Sequence, residues 1–186
     1  ISKVGKMRDA QFEAIKTYLF LKISCGNQPL WKLFANGNFN DTNIGQLELT
    51  EAAREILKTN KAAVALFQYS RLKDKNGKQL APELETYIKR HADVIDYEGT
   101  FRKIFYGVDY TDYLFSLPMG AGKTYLMAAF IYLDLYFAQN EPNNPAFAHN
   151  FMIFAPSGLK SSIIPSLKHI KEFDPSWIIP EPTATQ

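Results

Sequence analysis

Residues 117–124 read Leu-Pro-Met-Gly-Ala-Gly-Lys-Thr, and an apolar stretch follows at once. Two glycines, a lysine and a threonine in this order suit the binding of a triphosphate. Gly120 and Gly122 permit backbone angles and a close approach that a Cβ would block. Lys123 supplies positive charge for the β- and γ-phosphates. Thr124 supplies a hydroxyl that can bind Mg²⁺. A helix starting here would aim its free N–H groups at the anion. The full phosphate-loop pattern asks for another glycine five residues before Gly122, where this chain has Leu117. The competing reading is an ordinary glycine-rich turn with a solvated lysine.

The flanking residues say what must position the loop. Tyr113–Leu117 is a short apolar run that predicts a buried strand, and 123–139 predicts a helix without Gly or Pro. A second apolar run, Phe151–Ala155, predicts a parallel strand joined to the first by a right-handed crossover. A helix at 158–172 contains Pro165, which should kink or split it. The expected fold is therefore α/β from residue 112 onward, the first part of a parallel sheet. Upstream the pattern is helical. An amphipathic helix covers 8–23 and ends at Gly26, Asn27 and Pro29. Thr50 reads as an N-cap for helical sequence through about 71, with a break near Asn60. Pro82 opens a helix to about His91, and another at 98–106 stops at Gly107.

Composition narrows the class. The chain has 186 residues, 46% hydrophobic and 22% charged, an ordinary globular balance. Its net charge of +2 neither requires nor excludes nucleic acid. The single Cys25 excludes an intramolecular disulfide framework and fits a reducing cytoplasm. No uninterrupted apolar stretch is long enough to span a membrane, and the run at 125–138 carries Asp134. No signal peptide is expected, and a start at Ile1 suggests a piece of something longer. His91, His149 and His169 lack metal-ligand spacing.

The motifs resemble those of superfamily 2 helicases and translocases of the DEAD/DEAH type. The likeness is greatest to the ATP-dependent subunit of type III restriction enzymes. LPMGAGKT resembles their motif I, in which the first glycine is commonly replaced. Phe151–Ile170 is similar to the segment bearing motif Ia, with Ala155-Pro156-Ser157 at the strand end. Arg8, Gln11, Ala14 and Ile15 match an R-x-x-Q-x-x-A-I element whose glutamine, in the family, reads the adenine edge. An exposed polar residue on the first helix is the alternative for Gln11.

The resemblance implies a partial RecA-like motor domain that binds ATP and Mg²⁺ and acts on double-stranded DNA. Arg8, Gln11 and Met119–Thr124 would contact nucleotide, with Lys123 and Thr124 catalytic and Thr124 on Mg²⁺. Ser157 and Lys160, helped by Ser161 and Ser162, would touch the nucleic-acid backbone. A solvated helix N-terminus capped by Ser157 is the equal alternative. A modification or specificity subunit is the implied protein partner, and the cytoplasm the implied location. Gln11 and Lys123 lie 112 positions apart (11 to 123), far more than the family's short connection. The expected division is thus 1–24 for the glutamine element, 25–111 for a helical insertion and 112–186 for the motor portion. No acidic D-E-x-H or D-E-A-D run follows motif Ia, so nucleotide binding with little hydrolysis is expected of these residues. Two other readings stay open: a phosphate-loop small-molecule kinase, and a nucleotide-binding module that docks a partner through 17–110.

Overall fold

A computed structural model describes residues 7–38, 48–154 and 160–181, with the backbone alone at 160–163, 165 and 166. The chain divides into two compact units, Gln28–Tyr113 and Ile1–Asn27 with Leu114–Gln186.

In the 28–113 unit, short helices form where local signals start and stop them. These are α2 (Leu30–Ala35), α3 (Glu51–Thr59), α4 (Lys61–Ser70), α5 (Pro82–His91) and α6 (Tyr97–Ile104); α1 belongs to the other unit. The Thr50 hydroxyl accepts from the Ala53 N–H and caps α3. The Asn60 side chain does the same for Ala63, so it ends one helix and starts the next. Asp96 caps α6 by accepting from Gly99 N–H at 3.0 Å. After the C-cap Phe105 of α6, Tyr106 and Gly107 both adopt positive φ, 61° and 63°, and the helix stops there. The apolar faces meet around Phe67, Phe101, Leu57, Leu66 and Ile88, all almost wholly buried. Phe101 stacks on Phe34 with ring centroids 5.9 Å apart. Trp31 Nε1 donates to the Val108 carbonyl at 3.0 Å, and the Tyr113 hydroxyl donates to the Gln28 carbonyl at 2.7 Å. Those last partners are the two ends of the unit.

Tyr97 is buried here and donates its hydroxyl to the Ala92 carbonyl at 2.7 Å. Burial, aided by the Asp93 charge, pushes its phenol up to about 12 from an ordinary 10. The folded state therefore keeps a proton that the unfolded chain gives up. Stability from this group is complete below about pH 10 and is lost as pH rises through 12. Urea melts at pH 9 and 11 should differ in the wild type, and the difference should shrink in Y97F. An unchanged difference in Y97F would assign the alkaline loss to other groups.

In the other unit, α1 (Asp9–Leu19) continues as a π-helical turn at Phe20–Ser24, and α7 (Lys123–Asn140) and α8 (Lys160–Lys171) follow. Ile15, Leu126, Ala129, Leu133 and Phe173 form its core. A 3₁₀ turn at Pro175–Trp177 brings Trp177 against that core. The run α7 is apolar on most of its circumference because it is packed on several sides. The segment expected to be kinked or split at Pro165 is assigned as one helix, α8.

The expected α/β fold is overturned. Among the described residues there is no strand or sheet, only an isolated antiparallel bridge between Lys73 and Gln79. The fold is all-helical, and the RecA-like parallel sheet with its crossover falls with the strands. Within the described residues, neither run read as a strand makes a ladder. Along 113–117 burial alternates: Tyr113, Phe115 and Leu117 are half-buried, while Leu114 is 92% exposed. Phe115 lies 4.9 Å from the Phe130 ring of α7 and 6.2 Å from that of Tyr18. Its apolar character is satisfied by helices rather than by a neighbouring strand. In 151–154 all four residues are exposed, Phe154 most of all at 87%. An apolar run sets no secondary structure unless a ladder partner is supplied. Ala155, the last residue of the second expected strand, lies outside the described residues.

Candidate nucleotide site

The glycine loop closes on itself before α7 begins. Ala121 N–H donates to the Pro118 carbonyl at 3.2 Å, which buries Ala121. Gly120 and Gly122 both take left-handed angles, φ 76° and 77°. Such angles are costly for any residue with a Cβ. Gly122 has a second reason to be glycine. A Cβ there would fall 2.5 Å from Gln11 Nε2. Gly122 is also the N-cap of α7, and as a glycine it gives the first turn no side-chain cap. The first-turn N–H groups of this 18-residue helix thus receive no acceptor from its own N-cap residue. Lys123 is exposed and Thr124 half-buried beside this opening, and Met119 is almost wholly exposed.

Two residues from the start of the chain sit against the loop. Arg8 Nη1 donates to the Gly120 carbonyl, and Gln11 Nε2 donates to the Gly122 carbonyl at 2.9 Å. Gln11 Oε1 accepts from the Arg8 backbone N–H at 2.9 Å, an N-cap arrangement that fixes its rotamer. Gln11 is only 5% exposed. An amide side chain has two donors and two lone pairs, and these bonds use one of each. In this arrangement Gln11 braces the loop. What it retains for a base is one donor and one lone pair.

The expected residues therefore divide in three. Arg8, Gln11 and Gly120–Thr124 are brought together. Met119 adjoins them with its side chain in solvent. Ser157 lies outside the described residues, as do the side chains of Lys160, Ser161 and Ser162, so the expected nucleic-acid contacts have no described geometry.

Two further groups gather in this unit whose partners the sequence pattern does not announce. Tyr125, two residues past Lys123, stacks on Trp177 with centroids 6.1 Å apart, and its hydroxyl lies 3.5 Å from His169 Nδ1. Nothing in the spacing of 125, 169 and 177 announces that meeting. Asp134 is the other. It is 2% exposed inside α7 and accepts from the Tyr18 hydroxyl at 2.6 Å, Lys22 Nζ at 3.2 Å and Ala148 N–H at 3.1 Å. A lone carboxylate within an apolar helix was the available signal, because a buried charge must be paired.

Among the described residues no three His, Cys, Asp or Glu side chains are placed to hold a metal ion. No helix among them is long and apolar enough to cross a membrane. Compared with protein-family models, curated proteins and solved structures, the chain finds no match.

Proposed function

We propose that Gly120–Thr124 grips the phosphate tail of ATP, within a protein that works as a DNA helicase- or translocase-like ATPase of a restriction system. The observation carrying this reading is the docking of Arg8 and Gln11 on the carbonyls of Gly120 and Gly122. A glycine turn with a solvated lysine has no use for two distant polar side chains on its backbone.

The residues present fit the ligand. Two left-handed glycines bend the loop, and the N-terminus of α7 is open to an anion. Lys123 would neutralise the β- and γ-phosphates, and Arg8 adds positive charge at the rim. Mg²⁺ would be held by the Thr124 hydroxyl, phosphate oxygens and water, because this ion keeps much of its hydration. Bound Mg²⁺ would supply Lewis-acid stabilisation of phosphate charge. The chain's own residues bind and orient the nucleotide, and binding without sustained turnover is the behaviour proposed for these 186 residues. Double-stranded DNA and a modification or specificity subunit remain proposals resting on the motif resemblance.

Titration of the chain with a fluorescent ATP analogue and Mg²⁺ tests the reading. Binding is expected in the wild type, with at least a tenfold loss in K123A and an unchanged circular dichroism spectrum. Equal affinity in the two would overturn it. The separate core of the 28–113 unit favours a second reading, a partner-docking module. Partner capture that is indifferent to nucleotide would support that alternative.

A further inference from the structure

Helices α1 and α7 run side by side in the same direction. Gln11 meets Gly122 at one end, and Tyr18 and Lys22 meet Asp134 further along. Positions 11, 15, 18 and 22 follow helical spacing on one face of the first helical segment. Between the two ends, Ile15 and Leu126 share the apolar core, and Tyr18 stacks on Phe130 with centroids 4.1 Å apart. Apolar contacts alone tolerate sliding of one helix along another. Hydrogen bonds to a buried carboxylate do not, because each has a narrow range of distance and angle.

We propose that the Tyr18–Asp134–Lys22 network fixes the register of α1 on α7 and thereby holds Arg8 and Gln11 against the glycine loop. Asp134 is then a positioning residue for nucleotide binding, acting roughly 18 Å from Gly122 along α7. The inference rests on the nucleotide reading of Gly120–Thr124.

The details favour a register lock over a passive ion pair. The side chains of Lys22 and Asp134 are 11% and 3% exposed, so solvent has little access to the carboxylate. Lys22 Nζ also donates to the Ala146 carbonyl at 2.7 Å, which ties the loop after α7 into the same network. Lys22 lies within the π-helical turn at Phe20–Ser24, closed by Cys25 N–H on the Phe20 carbonyl. A π turn adds a residue to the local winding and re-aims the side chains on it, and such turns recur at functional sites.

The test uses the whole chain, with variants that keep side-chain shape: D134N, Y18F and K22M. Lys22 lines an open cleft of about 450 Å³, so methionine can be accommodated without overpacking. D134N is expected to weaken binding of the ATP analogue about tenfold, and Y18F severalfold, at a temperature where both remain folded. In the Q11A background the D134N effect should largely vanish, because Asp134 acts through the placement of Gln11. Without nucleotide, D134N should shift the Gln11 side-chain amide resonance. Lower melting temperatures with unchanged affinity and an unmoved Gln11 resonance would make the network a stability element only and overturn the proposal. So would additive effects of Q11A and D134N. A moved resonance in a wild type that binds no nucleotide would refute the nucleotide reading while leaving the register lock standing.

Discussion

G122A should lose nucleotide binding by at least tenfold, while G120A should lose much less. Both positions have left-handed backbone angles, so both substitutions incur about 1–2 kcal/mol of conformational strain. Only at 122 does the added methyl meet another group. Its Cβ would lie 2.5 Å from Gln11 Nε2, whereas at Gly120 nothing among the described residues lies within 4 Å. Something must move at 122, and Gln11 is held by Arg8 and its own burial. If the Gln11 amide retreats, the Gly122 carbonyl loses the donor that braces it. Added to the strain, the expected destabilisation of G122A is about 2–4 kcal/mol, against about 1–2 for G120A. Q11A should recover part of the loss in G122A by making room. Chemical denaturation and analogue binding on the four variants measure this. Equal penalties at 120 and 122 would mean that Gln11 does not sit where the loop needs it.

F101A should destabilise the 28–113 unit by about 3–5 kcal/mol, the range for removing a fully buried phenyl group. Phe101 has no exposed surface. It touches Phe34, Tyr69 and Phe105 with ring centroids 5.9, 6.4 and 6.4 Å away. Those rings come from α2, α4 and the end of α6, so the cavity left by alanine opens at the junction of three elements. Whole domains are stable by only about 5–15 kcal/mol, so this variant should be near the limit of folding at 37 °C. The matched control is Tyr106, 93% exposed a few residues away. Y106A should change stability by no more than about 0.5 kcal/mol. Urea melts followed by Trp31 fluorescence would resolve the two, and a loss below 1 kcal/mol in F101A would place the centre of the core elsewhere.

Local chemistry was legible wherever one residue type decides a backbone state. Thr50 and Pro82 mark helix starts in the sequence and Asn60 marks a break; the structure starts helices after Thr50 and at Pro82, and Asn60 both ends one helix and caps the next. Gly107, Gly120 and Gly122 all take positive φ. Helix α1 lies within the 8–23 span that its apolar spacing predicts, but it widens into a π turn at Phe20, which no residue type specifies. Strands failed for a different reason. Helices satisfy their hydrogen bonds internally, so a short window contains most of what decides them. A strand depends on a neighbour that may lie anywhere in the chain. Runs 113–117 and 151–154 are apolar enough for a sheet, yet Phe115 finds aromatic rings on two helices, and no ladder forms in either run. At the site, the motif pointed to Arg8 and Gln11. Asp134 was visible only as an interruption in an apolar run, since its partners Tyr18 and Lys22 lie more than a hundred positions away.

The hydrogen bond between Tyr113 and Gln28 joins the two ends of the 28–113 unit. Seen from α1, this changes the search that folding must make. In a featureless chain, α1 would have to find α7 across a loop of roughly a hundred residues. Once residues 28–113 have folded with their ends pinned, only a short tether separates the two helices. The closure entropy saved is about 2 kcal/mol. That gain requires no new contact, and it belongs to the rate and order of folding: the intervening helices act as a splint that turns a remote pairing into a nearby one.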